Sequence, residues 1–237
     1  MAKAKKTVEV AKPPTTTAMV PFGGQKRKLV EPATVSANYV TFATSLGKGS
    51  KRRAEYCEKL KIKDKDLPED APILVVGQEV YFLENFNFVL TQQWFQHFTE
   101  YDDAFKPIAS YLDVDESPGG DFKEVVEAVI FVLHDDIVTP AIASFRTTKS
   151  GIFHDAYSAV KDGEWLQHVA CVAFHEHTGK ASGRTSIIGS ATNRPIEETE
   201  SELIATLLAD PEATKALDAC VASLKYRFDE CKKVEVN

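Results

Sequence analysis

The sequence predicts an α+β fold: an OB-like β-barrel, or a strongly curved antiparallel sheet, with one inserted helix and a C-terminal helical tail. Three observations lead there. Residues 36–195 are dominated by short runs rich in Val, Ile, Phe and Tyr with turn residues between them, the pattern of strands. Residues 150–160 instead space their apolar side chains for a helix, and residues 196–237 do so throughout. A helix inserted between the third-to-last and second-to-last strands is also the element order of an OB-type barrel.

The elements follow in order. Residues 1–35, with KPPTTT and PFGGQKRK, have no apolar periodicity, and their composition is that of a disordered basic arm. VSANYVTFATSL reads as a first strand. The basic connection GKGSKRRAEYCEKLKIKDKDLPEDAP carries a short helix over Arg52–Leu60. ILVVGQEVYFLENF and NFVLTQQWFQHFTEYD are β-rich with a turn between Glu84 and Asn87, and DVDESPGGDFKE is a loop. Two apolar runs across His134-Asp135-Asp136 predict a hairpin. Ile152, Phe153, Ala156, Tyr157 and Val160 then share one helix face. EWLQHVACVAFHEHTG is a strand, and KASGRTSIIGSATNRP a loop with a final strand.

In the tail, Ile196, Leu203, Ile204, Leu207 and Leu208 form a stripe. Asp210-Pro211-Glu212 restarts a helix with a capping residue, Pro at its first position and an acid in its first turn. Leu217, Cys220, Val221, Leu224 and Phe228 make its apolar face. The chain thus divides into a basic arm (1–35), a β-rich OB-like core (36–195) and C-terminal helices (196–237) packed on the core or on a partner. That stripe leaves homo-oligomerisation open.

The net charge of −7 hides an asymmetry: residues 1–65 hold 15 Lys/Arg against 5 Asp/Glu, and the remainder 13 against 30. A basic arm of this kind meets an anion, with nucleic acid the commonest, or docks on the protein's own acidic face. The longest apolar runs fall short of a membrane span, and no apolar segment follows the basic N-terminus as in a secretory signal. Cys57, Cys171, Cys220 and Cys231 lack paired metal spacing and read as reduced thiols of a cytoplasmic protein.

Four constellations can carry chemistry. At a strand-to-helix corner, Arg146, Thr147, Thr148, Lys149 and Ser150 offer either a helix cap from Thr148 or Ser150, or a phosphate seat with Arg146 and Lys149. The stretch lacks the glycine frame of a nucleotide-hydrolysing loop. Next, Trp94 and Phe98 alternate with Phe95, His97 and Thr99; an exposed face would stack bases, whereas a sheet covered on both sides would bury the rings. His175 and His177 share a strand face, but no third ligand follows at a metal-site spacing, so neither metal nor cofactor is expected. Lastly, Lys48, Lys51, Arg52, Arg53, Lys59, Lys61 and Lys63, with Lys180 and Arg184, can line a groove that tracks phosphates.

AVIFVLHDDIVTPAIASFRTTKSGIFHDAYSAV followed by WLQHVACVAFHEHTGKASGRTSIIGSATNRP resembles the single-stranded-DNA-binding and replication-accessory proteins of bacteriophages and related mobile elements. The resemblance covers roughly residues 70–195 and is one of pattern: a strand pair ending in Ser, Arg and Thr, a short helix, then two strands. Such proteins often end in an acidic tail, whereas KYRFDECKKVEVN is mixed in charge.

The expected function is therefore non-catalytic: binding of single-stranded DNA with little sequence preference during replication or recombination, alongside replication or recombination proteins. Lys51, Arg52, Arg53, Arg146, Lys149, Lys180 and Arg184 would supply charge, and Trp94, Phe95 and Phe98 stacking. The alternatives are a viral structural or scaffolding protein, a regulator acting on a host protein through the acidic segment, and a metal-dependent nuclease using His175, His177 and an acidic residue.

Overall fold

The computed structural model describes residues 36–101, 107–112, 118–178 and 185–233. The predicted basic arm lies outside these residues. The strands are β1 (Tyr39–Phe42), β2 (Pro72–Val76), β3 (Glu79–Phe82), β4 (Asn87–Tyr101), β5 (Pro107–Leu112), β6 (Lys123–His134), β7 (Ile137–Arg146), β8 (His168–Thr178) and β9 (Thr185–Pro195). The helices are α1 (Lys51–Leu60), α2 (Ser150–Val160), α3 (Glu198–Ala209) and α4 (Pro211–Lys233).

The fold is α+β, built on a strongly curved half-barrel sheet. Eight strands run in the order β3-β2-β1-β7-β6-β4-β8-β9, and β5 pairs along the far end of β4. Neighbours are antiparallel except β1 and β7, where Tyr39 lies beside Ile142 in parallel. The curvature is measurable in ring contacts. Phe42 of β1 meets Phe174 of β8 at 6.0 Å although β7, β6 and β4 lie between them. Those rings are on the concave face.

Both faces are covered, which explains the unbroken apolar run in β6. Val126, Ala128, Ile130 and Val132 point to the concave face, where Ile152, Phe153, Ala156 and Val160 of α2 fill the curl with Phe42, Phe86, Phe88 and Phe145. Val129 and Phe131 point to the convex face, against Ile204 and Leu207 of α3 and Leu217, Cys220 and Leu224 of α4. The C-terminal helices therefore pack on the core. A smaller cluster holds α1 to β2 through Tyr56, Cys57 and Ile73.

Local chemistry sets the bends. The β6–β7 hairpin turns on Asp135 and Asp136, both at positive φ (47° and 58°), as a two-residue turn of the primed type requires and short polar side chains tolerate. In β4 the register with β6 shifts between Leu90 and Trp94, where Thr91 Oγ1 donates to the Val129 carbonyl at 2.6 Å; such a bulge sharpens the bend. Gly77 at φ +59° makes a tight turn that splits ILVVGQEVYFLENF into β2 and β3. Leu83 and Phe86, both buried, then pin the corner that leads β3 into β4. β5 has no counterpart among the strands expected from the sequence. No helix among the described residues is long and apolar enough to cross a membrane.

Candidate nucleic-acid interface

The anticipated site residues separate into groups. Lys51 and Arg52 are exposed on α1, with Arg52 Nε donating to Tyr56 Oη at 3.1 Å. Arg53 is a correction: it is 3% exposed, and its guanidinium pairs with the Asp64 carboxylate and donates to the carbonyls of Ala43, Asp64 and Leu67. The buried guanidinium makes these four bonds, so Arg53 ties α1 to the following turn rather than presenting its charge to a phosphate.

Lys149 is a second correction. It is 3% exposed, its ammonium donates to the Ile187 carbonyl at 2.9 Å and sits 5.0 Å from the Phe174 ring centre, and burial lowers its pKa. The corner it belongs to is not capped as expected either. Ser150 Oγ donates back to the Thr147 carbonyl at 2.8 Å, and Lys149, at the N-cap of α2, makes no side-chain capping bond. Arg146, Thr147 and Thr148 are exposed, and the Arg146 guanidinium lies 5.6 Å from the centre of the Tyr101 ring. Lys180 and Arg184 lie outside the described residues.

The aromatic strand alternates as expected, but the covered sheet accounts for its rings. Trp94 packs on Phe153 at 5.0 Å and Tyr157 at 5.1 Å, both from α2. Phe95 meets Phe228 of α4 at 5.2 Å and His97 at 5.4 Å. Phe98 is 6% exposed. Phe98 is therefore corrected from a base-stacking to a core residue, whereas Trp94 and Phe95 are half-buried, each with part of its ring packed against the core clusters. His175 and His177 are exposed on β8, and among the described residues no three His, Cys, Asp or Glu side chains gather as a metal site would require.

Exposed aromatics and cations instead meet elsewhere. A groove of about 690 Å³ runs between the end of α1, β3, the β3–β4 corner and the β6–β7 turn. Lys59, Lys61, Tyr81, Phe82, His134 and Asp135 are among its walls. Tyr81 and Phe82 are 37% and 43% exposed, two of the few large apolar side chains so open among the described residues. Both are open because β3 is a short edge strand, paired on one side only, by β2.

The groove is framed by hydrogen bonds. Lys59 Nζ donates to the Gln78 carbonyl at 2.8 Å and pairs with Glu55 at 3.1 Å, fixing α1 over the β2–β3 turn. Lys61 ends α1 in the left-handed conformation, φ 57°. Tyr81 Oη donates to the Glu79 carboxylate, which raises the phenol pKa. His134 bonds Thr139 Oγ1 at 3.1 Å, and its pKa is lowered by burial against the opposing pull of Asp135.

Lys59 and Lys61 belong to the basic run visible in the sequence; Tyr81 and Phe82 were missed. The available signal was EVYF, a strand too short for a sheet centre, set between a glycine turn and a corner. In comparisons with known proteins, the chain matches no family model, no curated protein and no solved structure.

Proposed function

We propose that the protein binds single-stranded DNA, without reading a defined sequence, through α1 and the exposed edge of β3, in the replication or recombination of a phage or mobile element. One observation carries this reading: Tyr81 and Phe82 stand exposed in a groove that also receives Lys59 and Lys61, with Lys51 and Arg52 further along the same helix. Cations on a helix release counterions from phosphates, and an open ring on either face of the β3 edge stacks a base of any identity at about 1–3 kcal/mol. Residues seven apart on a helix share a face about 10 Å apart, so Arg52 and Lys59 form a track that leads toward the rings. The role is one of binding, and no bond is made or broken.

Fluorescence anisotropy of a labelled single strand, and of a duplex of equal length, at low and moderate salt tests it. The expected result is tighter binding of the single strand, with log affinity falling by about 0.7 per decade of salt for each phosphate neutralised. Absence of single-strand binding at low salt overturns the proposal. Equal binding of both forms assigns the contact to charge alone and removes the rings from it.

A further inference from the structure

Resting on that reading, we infer that His134 makes strand binding pH-sensitive: the groove holds a single strand more tightly once this imidazole takes up a proton. His134 ends β6 and lines the groove against Tyr81, its ring 5.8 Å from the phenol ring and tilted 43° to it. Only 11% of its side chain is exposed. A strand that stacks on Tyr81 therefore carries its phosphates past the imidazole, within the roughly 10 Å over which charges act at 0.1 M salt.

The surroundings suit the charged ring. An imidazolium donates from both nitrogens. Nε2 has Thr139 Oγ1 at 3.1 Å, and Nδ1 has the Asp135 carboxylate at 4.0 Å, an ion-pair distance. Burial opposes the charge and holds the pKa below 6.5, so the ring of the free protein is neutral at neutral pH. The other charged groups around the groove are Lys59 and Lys61 of α1, Glu84 at the β3–β4 corner and Asp135 in the turn, with Asp136 beside it. Glu79 is held by the Tyr81 hydroxyl. Histidine is the side chain that ordinarily changes charge between about pH 5 and 8, so in that window the charge of the groove turns on His134. A phosphate nearby favours the imidazolium; reciprocally, protonation strengthens the hold on the phosphate.

The test measures the affinity of labelled oligo-dT from about pH 8 to about pH 5.5 at fixed ionic strength, for the full chain and for His134→Gln. Thymine takes up no proton in this window, glutamine keeps a polar partner for Thr139, and the other histidines are common to both proteins. Over that range the unmodified chain is expected to gain about three- to tenfold more affinity than the variant, with circular dichroism showing both folded. Histidine NMR gives a readout that needs no variant: the pKa of His134 is expected to rise when oligo-dT is added. An equal gain in both proteins, or a His134 pKa indifferent to oligo-dT, overturns the inference and leaves strand binding to stacking and the remaining charges. Absence of a complex at every pH overturns the single-strand reading itself, a separate outcome.

Discussion

The ring of Tyr81 lies 5.8 Å from the imidazole of His134, although β2, β1 and β7 separate their strands in the sheet. Four spacings of about 4.8 Å would put them about 19 Å apart in a flat sheet. The sheet curls until its β3 edge overhangs the β6–β7 turn, and the buried side chains of Leu83 and Phe86 at the two ends of the corner hold it there, with the Phe86 carbonyl accepting from the Val172 amide at 3.0 Å. The groove is a product of that curl. Neither residue would line a cavity in a flatter fold.

Arg53 and Arg52 are neighbours in sequence with opposite roles. Arg53→Ala removes the buried guanidinium's bonds to the carbonyls of Ala43, Asp64 and Leu67 and should cost about 2–3 kcal/mol of stability by urea unfolding. Arg52→Ala, on the exposed face, should stay within about 0.5 kcal/mol but weaken single-strand binding. A reversed order of stabilities would contradict the inward placement of Arg53.

Gly189 of β9 faces α2 at close range. A Cβ there would stand 2.4 Å from Ile152 Cδ1 and 2.7 Å from its Cγ1, and Ile152 is fully buried among aromatic rings. Gly189→Ala should therefore destabilise by about 1–3 kcal/mol through overpacking. Thermal unfolding checks this, and a wild-type midpoint would mean that α2 sits further from the sheet.

Arg227 of α4 reaches the sheet and donates to Glu127 Oε2 at 2.7 Å, with Ser144 Oγ donating to the same oxygen at 2.6 Å. Glu127 is buried, so Arg227→Met leaves a charge without its partner and should cost about 3 kcal/mol or more. Adding Glu127→Gln should restore most of it in a double-mutant cycle. No restoration would mean that the pair does not couple α4 to the sheet.

His97 gives the stability a pH dependence. Burial, and secondarily the charge of Arg146, lowers its pKa from 6.5 to about 4. The unfolded chain therefore binds the proton first, and the contribution is fully present above pH 6.5 and is lost as pH falls from 6.5 toward 4. The loss amounts to about 3 kcal/mol. Denaturant midpoints across that window should fall for the native sequence and fall less for His97→Gln; parallel curves would place His97 in contact with water.

Short-range chemistry was legible in the sequence. Asp135-Asp136 between apolar runs gave the β6–β7 hairpin, the spacing of Ile152, Phe153, Ala156 and Val160 gave α2, and Asp210-Pro211-Glu212 gave the start of α4. Long-range partners were not. Lys149 reads as a free cation until β9 brings the Ile187 carbonyl beside it, and Phe95 reads as an open ring until α4 supplies Phe228. The opposite error hid Tyr81 and Phe82, whose exposure depends on β3 being the last strand of the curl. In basic α1, Lys51 and Arg52 are exposed cations, whereas Arg53 is turned inward by its partner Asp64.

The most direct measurement is the affinity of Tyr81→Ala combined with Phe82→Ala for a labelled single strand, across a salt series, against the unmodified chain. Loss of stacking should lower affinity by about 1–3 kcal/mol for each base released and leave the salt slope unchanged, because the cations of α1 remain. An affinity equal to that of the unmodified chain at every salt concentration would contradict the account and remove the β3 edge from the interface.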